Sequence, residues 1–182
     1  MSNFVDALQK IVATRLKKFG YLYDPNLCEG DELFGFSKDL GDQIATLVQI
    51  QRKSGIPNDE FAVNLLRVKT VELQPRIYGG YAGALGARLT HMLWYVHELR
   101  DYPASEYWWV SIDRSGLEAN LIDAVNQIER YGLAWVEDPK APRPWEMPEY
   151  PADQFVDVLK QVVTPDLVRL GFRSEMHRIN GN

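Results

Sequence analysis

The sequence is poor in cysteine, since Cys28 is the only one among 182 residues. A single cysteine excludes an intramolecular disulfide, and it excludes a zinc site or an iron–sulfur cluster that several cysteines of this chain would hold. The acidic neighbours Glu29, Asp31 and Glu32 disfavour the reactive thiolate form of Cys28. We therefore expect a reducing, cytoplasmic location and no chemical role for this thiol.

The sequence also lacks long apolar runs and a strong excess of positive charge. No segment approaches the roughly 18–20 consecutive apolar residues that a transmembrane helix requires. The N-terminal residues have neither the basic start nor the apolar run of a signal or transit peptide. The formal net charge is −5, so the chain has no overall basic field to attract a phosphate backbone. We expect no membrane span, no targeting segment and no nucleic-acid partner.

Recognised catalytic and metal-binding motifs are missing as well. The histidines are His91, His97 and His177, and the first two lack the spacing that brings two imidazoles to one ion on a helix or a strand. No Gly-x-Ser-x-Gly motif occurs, and the glycine-rich stretch at 79–86 lacks the Lys-Ser/Thr ending of a phosphate-binding loop. The sequence predicts no metal site, no cofactor and no catalytic residue.

Two amphipathic helices are predicted from apolar residues at helical spacing. The first covers 4–18, and Gly20 follows it as a stop signal. The second covers 116–131; Ser115 and Glu118 have the spacing of a capping box at its start, and Gly132 is predicted to end it.

Alternating apolar residues predict strands near 33–38, 43–52 and 60–70, with a further strand at 107–112. The first three are joined by connections too short for a crossover helix, so they form an antiparallel meander. The segment 87–100 fits both helical and strand periods. The predicted fold is α+β: an antiparallel sheet of about four or five strands, the two helices packed on one face, and a C-terminal helical extension.

Prolines divide the chain into an expected domain and an extension. Pro139, Pro142, Pro144, Pro148 and Pro151 occur too close together for a helix or a central strand. We therefore predict an α+β domain at 1–137, a proline-rich linker at 138–151 and a C-terminal helical extension at 152–182.

The extension repeats the pattern of the first helix. FVDAL at 4–8 matches FVDVL at 155–159, and the register continues without a gap to Gly20 and Gly171. One alternative is chance similarity between amphipathic helices. If the repeat is real, its apolar face needs cover, either from its own domain or from a second copy of the chain. We favour a homodimer formed through 152–182.

Several of these segments, in this order, resemble one bacterial protein family. They are LKKFGY at 16–21, VQIQ at 48–51, EFAVNL at 60–65, the Trp pair at 108–109 and YGLAW at 131–135. The chain resembles the domain of unknown function 4304 family over about residues 4–137. Two departures are the glycine- and tyrosine-containing stretch at 72–87 and the extension beyond Pro139. The resemblance supports the fold and brings no activity with it.

Aromatic and cationic residues are concentrated in the second half of the predicted domain. Aromatics with arginine give large contact area and stacking, which favours binding surfaces. We predict a binding site at Arg76, Tyr78, Tyr81, Arg88, His91 and Trp109. The function predicted is a non-catalytic interaction module for a protein partner, in the bacterial cytoplasm. The alternative is an enzyme or sensor that binds a small anionic ligand through Arg76, Arg88 and His91.

Overall fold

The computed structural model of the chain describes residues 3–53, 59–75, 85–99, 109–111 and 113–148. The chain divides into two compact units, 1–147 and 148–182. All described residues except Pro148 belong to the first unit. The extension predicted at 152–182 lies outside the described residues.

An antiparallel sheet of six strands forms the centre of the first unit, so the fold is α+β, as predicted. The strands are β1 (Leu22–Tyr23), β2 (Leu33–Gly41), β3 (Ile44–Lys53), β4 (Asp59–Lys69), β5 (Leu85–Arg88) and β6 (Trp109–Ser111). β1 to β5 follow one another across the sheet. β5 pairs with residues 64–67 of β4, and β6 pairs with residues 59–61 at the other end of the same edge.

The meander predicted for β2, β3 and β4 is confirmed, because each of these strands pairs antiparallel with the next. The β2–β3 turn places Gly41, Asp42 and Gln43 in succession at positive φ (82°, 51° and 61°). Glycine and aspartate adopt this left-handed backbone more readily than most residues, which explains why the hairpin turns here.

Within the described residues, three helices accompany the sheet. α1 covers residues 3–19, with a π-helical turn at Gln9–Ala13 and a final 3-10 turn at Lys17–Phe19. α2 covers residues 89–96, and α3 covers residues 114–137 around a π-helical turn at Ile128–Gly132. No helix of the described ranges is long and apolar enough to cross a membrane.

The start of α3 differs from the prediction. Asp113 is the N-cap: its Oδ1 accepts a hydrogen bond from the backbone N–H of Gly116 at 2.8 Å and one from the hydroxyl of Ser115 at 2.9 Å. The capping box predicted from Ser115 and Glu118 is therefore wrong. The negative charge of a carboxylate at the cap also interacts favourably with the positive end of the helix dipole.

The prediction that Gly132 ends α3 is wrong. Gly132 lies inside the helix, at a position where the helix packs closely against the sheet. An added Cβ would lie 3.0 Å from Cδ1 of Leu65 on β4. The helix continues to Glu137, which anchors its end to the sheet. The Glu137 carboxylate accepts from the hydroxyl of Tyr21 (3.1 Å) and from the ammonium of Lys38 (2.9 Å). Arg67 donates to the Glu137 backbone carbonyl at 2.6 Å.

α1 and α3 pack on the same face of the sheet, as predicted. The buried side of α1 is formed by Phe4, Leu8, Val12 and Leu16, and that of α3 by Leu117, Leu121, Val125 and Ile128. They meet inward-facing apolar residues of the strands: Phe34, Phe36, Val48, Ile50, Phe61, Val63 and Leu65. This layer is the main core.

Segment 87–100, whose apolar pattern fits both a helix and a strand, contains parts of both. Residues up to Arg88 complete β5, and α2 starts at Leu89. Its mixed periodicity reflects this change, because both Ala87 of the strand and Met92 of the helix are buried.

Part of the predicted linker packs within the first unit. Ala141 and Pro144 are buried, and the indole N–H of Trp135 donates to the Pro142 carbonyl at 2.8 Å. Pro144 opens a 3-10 turn, Pro144–Glu146, that contacts α2. The remainder of the linker, 149–151, lies outside the described residues.

A smaller apolar cluster occupies the face of the sheet opposite α1 and α3, where Leu27 packs over Gly35. A Cβ at Gly35 would lie 2.5 Å from Leu27 Cβ and 3.0 Å from the Leu27 backbone oxygen. We therefore expect Gly35→Ala to lower the free energy of unfolding by about 1–3 kcal/mol, because a backbone contact cannot yield as a side chain does. Urea denaturation measures this change. Ser37→Ala, two residues further along the same strand face, is the control, and an equal effect would contradict this explanation.

Candidate functional site

The predicted site residues fall into three groups in the structure. Arg76, Tyr78 and Tyr81 lie outside the described residues. Arg88 and Trp109 are buried at 9% and 1% exposure, and His91 is half-buried. The described members therefore do not form an exposed aromatic patch, and each has its own surroundings.

Trp109 lies in the core and is a structural residue, which corrects its assignment to a binding surface. Its ring stacks on Phe61, with the ring centroids 5.4 Å apart and the planes within 10°. Its indole N–H donates to Oδ2 of Asp123 on α3 at 2.9 Å. Stacking and a satisfied polar edge are what a buried indole requires.

Arg88 belongs to a polar row that crosses the face of the sheet opposite α1 and α3. Cross-strand pairing places Gln49, Asn64 and Arg88 side by side on β3, β4 and β5. Asn64 Nδ2 donates to Gln49 Oε1 at 3.0 Å, and Arg88 Nη1 donates to Asn64 Oδ1 at 3.2 Å. Arg88 Nη2 also donates to Gln51 Oε1 at 3.4 Å. The row satisfies buried amides, and it fixes the register of three strands because a shift would break these bonds.

His91 lies within electrostatic reach of Arg88. Burial and then the positive charge of Arg88 lower the pKa of His91 from 6.5 to about 4. The imidazole is therefore neutral at pH 7. Between these two residues in sequence, the buried hydroxyl of Thr90 has no hydrogen-bond partner in the part of the chain that the structure describes.

This lowered pKa predicts a pH-dependent stability. Below pH 6.5 the unfolded chain binds a proton at His91 that the folded chain resists until about pH 4, so stability falls as the pH drops through this window. We expect the wild type to lose on the order of 2 kcal/mol more than His91→Asn between pH 7 and pH 4. Urea denaturation at both pH values measures the difference. His97→Asn, at a more exposed histidine, is the comparison and should alter the pH dependence less than His91→Asn does. Parallel pH profiles for wild type and His91→Asn would contradict the prediction.

A second arrangement joins residues that are far apart in sequence. The His97 ring lies against the Tyr131 ring, with centroids 4.6 Å apart, and the Arg130 guanidinium lies over the same Tyr131 ring at 5.1 Å. His97 and Arg130 are exposed, and Tyr131 is half-buried. We call these three residues the cationic–aromatic surface.

Local structure explains this surface. His97 directly follows α2, and Arg130 and Tyr131 lie in the π-helical turn of α3. Such turns change which side chains face outward and are frequent at functional sites. Sequence reasoning considered His97 as a metal ligand and did not include it in the predicted binding site. It missed Arg130 and Tyr131, whose only signal was an adjacent arginine and tyrosine at the end of a predicted helix.

Arg130 differs from the other arginines of the described ranges in the partners of its guanidinium group. Each of the others donates a hydrogen bond to an oxygen or forms an ion pair with a carboxylate: Arg15, Arg52, Arg67, Arg88, Arg114 and Arg143. Arg130 has only the ring of Tyr131, and no carboxylate of the described ranges pairs with it. Its guanidinium edge is therefore available to a ligand.

The described ranges contain no group of three or more His, Cys, Asp or Glu side chains that could hold a metal ion. Cys28 is a free thiol that donates to the Tyr23 hydroxyl at 3.3 Å. Burial and this hydrogen bond raise the pKa of Tyr23 to about 12. The pair is a local structural contact.

The chain matches no family model, no curated protein and no solved structure. The resemblance to the domain of unknown function 4304 family therefore stays a prediction.

Proposed function

We propose that the protein is a non-catalytic interaction module that binds a protein partner through the cationic–aromatic surface. The observation that carries this proposal is the arrangement of Arg130 and His97 against the ring of Tyr131, with both outer groups exposed. Tyrosine and arginine are enriched among the residues that dominate binding energy at interfaces.

The ring contacts also support the proposal because they order the side chains before a partner arrives. An isolated surface arginine loses rotamer freedom when it binds, and that loss opposes association. Contact with Tyr131 restricts Arg130 in the free protein, and Tyr131 itself packs against the core. The ordering cost of binding is correspondingly smaller.

A photo-crosslinking amino acid in place of His97 tests the proposal in cells. We expect it to capture one defined protein, identified by mass spectrometry, and to lose that product when Tyr131→Leu removes the aromatic ring but keeps apolar packing. The control is the same crosslinker in place of Asp31, an exposed residue outside the surface. The same product at both positions, or none at residue 97, would contradict the proposal.

The second candidate is an enzyme or sensor for a small anionic ligand at Arg76, Arg88 and His91. It is supported by the neutral imidazole of His91 beside the Arg88 charge, since neutral side chains orient a guanidinium without cancelling its field. Citrate and phosphate, compared with chloride at equal ionic strength, should then raise the melting temperature of the wild type more than that of Arg88→Gln. An identical response of both proteins would rule this candidate out.

We further propose that the chain forms a homodimer through residues 152–182 and acts in the bacterial cytoplasm. The dimer is supported by the match between this segment and the buried face of α1. Residues Phe4, Leu8, Val12 and Leu16 are fully buried, and Phe155, Leu159, Val163 and Leu167 occupy the matching positions. The free thiol of Cys28 supports a reducing compartment.

A further inference from the structure

We infer that the cationic–aromatic surface recognises a carboxylate in an acidic segment of the partner protein, with Arg130 as the residue that binds the carboxylate. This inference rests on the proposed function, because it names the chemistry of the partner that the surface would bind. It assigns different parts to the three residues. Arg130 supplies charge and hydrogen-bond donors, whereas Tyr131 and His97 supply a flat surface for the chain that carries the carboxylate.

The position of Arg130 determines which of its groups remain available. Its guanidinium carbon lies over the Tyr131 ring, 5.1 Å from the ring centroid, so the ring covers one side of the guanidinium group. The N–H donors of a guanidinium point outward in its plane, in a fork that matches the two oxygens of a carboxylate. Contact with the Tyr131 ring on one side therefore leaves N–H donors that can bind a carboxylate.

Two acidic residues of the described ranges already pair with other arginines. Glu129 accepts a bidentate pair from Arg15, including Nε to Oε1 at 2.8 Å. Glu146 lies 3.7 Å from Arg143. Among the described residues, neither these carboxylates nor Glu98 forms an ion pair with Arg130, so its charge is not satisfied internally.

The exposed setting favours a peptide segment over a free small acid. An exposed ion pair alone contributes little to affinity, since water solvates both charges. The additional affinity must come from area buried on Tyr131 and His97, which a segment with an apolar or aromatic neighbour beside its acid can cover. Partial burial lowers the pKa of His97, so its ring is neutral at pH 7 and adds no second charge.

The test is a titration of the full chain with three peptides that differ at one position. The first has the sequence Gly-Phe-Glu-Phe-Gly with blocked ends, and the others replace Glu by Gln or by phosphoserine. Two-dimensional NMR follows the arginine Nε–Hε signals. We expect the Glu peptide to shift the Arg130 signal and to bind at least 10-fold more tightly than the Gln peptide.

Two variants locate the effect. Arg130→Gln should weaken the Glu peptide at least 10-fold, whereas Arg114→Gln, at an exposed arginine already paired with Glu118, should leave it unchanged. Equal binding of the Glu and Gln peptides would overturn the inference, as would an equal loss in both variants. Tighter binding of the phosphoserine peptide would replace carboxylate by phosphate as the recognised group.

The crosslinking experiment separates failure of this inference from failure of the proposed function. If Arg130→Gln leaves the crosslink at residue 97 intact and Tyr131→Leu abolishes it, the surface binds a partner but not through a carboxylate. If neither variant affects the product, or no product forms, the proposed function itself fails.

Discussion

Replacing Trp109 with alanine is expected to lower the free energy of unfolding by about 3–5 kcal/mol. The substitution removes a fully buried indole that stacks on Phe61, and it leaves a cavity between β6 and α3. It also removes the indole N–H that donates a hydrogen bond to Asp123 at 2.9 Å. Urea denaturation followed by circular dichroism measures the loss.

Two further variants separate packing from hydrogen bonding at this position. Trp109→Phe keeps a ring against Phe61 but loses the bond to Asp123, and we expect a loss of about 1–2 kcal/mol. Val110→Ala, at a half-exposed neighbour on the same strand, should change stability by less than about 0.5 kcal/mol. If Trp109→Ala and Val110→Ala cost the same, the assignment of Trp109 to the core is wrong.

Much of the fold follows from periodicity in the sequence. Alternation gave β3 within one residue at each end, because every second side chain of that strand faces the apolar layer. Helical spacing gave α1 for the same reason, and Gly20 ends it at φ +85°, where a left-handed residue is needed. In α1 one buried face produces the pattern. β3 is buried on both faces over 45–50, and its alternation is visible because Val48 and Ile50 are apolar whereas Gln49 and Gln51 on the other face are polar.

The predictions that failed concern residue types that can serve two different structural roles. Glycine ends many helices, but Gly132 serves close packing against Leu65, and only the position of β4 distinguishes these uses. Ser115 has a side chain that can cap a helix. The helix begins earlier than predicted, however, and Asp113 caps it by accepting hydrogen bonds from two donors. Trp109 combined an aromatic ring with a polar edge, which suits an interface and also suits a core that supplies an acceptor such as Asp123.

The cationic–aromatic surface was beyond sequence reasoning for a different reason. His97 and Tyr131 are brought together by the packing of α2 and α3 around β4 and β5, and no local pattern encodes this contact. The π-helical turn adds one residue to a helical turn, so a regular helix projected from Leu117 would misplace Arg130 and Tyr131. The residue types were visible in the sequence, but their convergence required the tertiary structure.

The proposed homodimer gives the largest expected change in solution behaviour. We expect light scattering to give about twice 20.9 kDa for the full chain and about 20.9 kDa for Leu159→Asp. Leu159 matches Leu8, which is fully buried in α1. If residues 155–172 use the same face to contact a second copy, the substitution places a charge in an apolar interface, where desolvating a carboxylate strongly opposes association.

The structure of α1 supplies the matched control. Gln161 matches Lys10, which is exposed, so Gln161→Asp introduces the same charge two residues away on the opposite side of the repeated pattern. This variant should keep the dimer mass at protein concentrations on the order of 10 μM, where Leu159→Asp is a monomer, because its new carboxylate stays in water. A monomeric wild type would refute the dimer. Equal masses for the two variants would show that the interface does not use the face of this segment that corresponds to the buried side of α1.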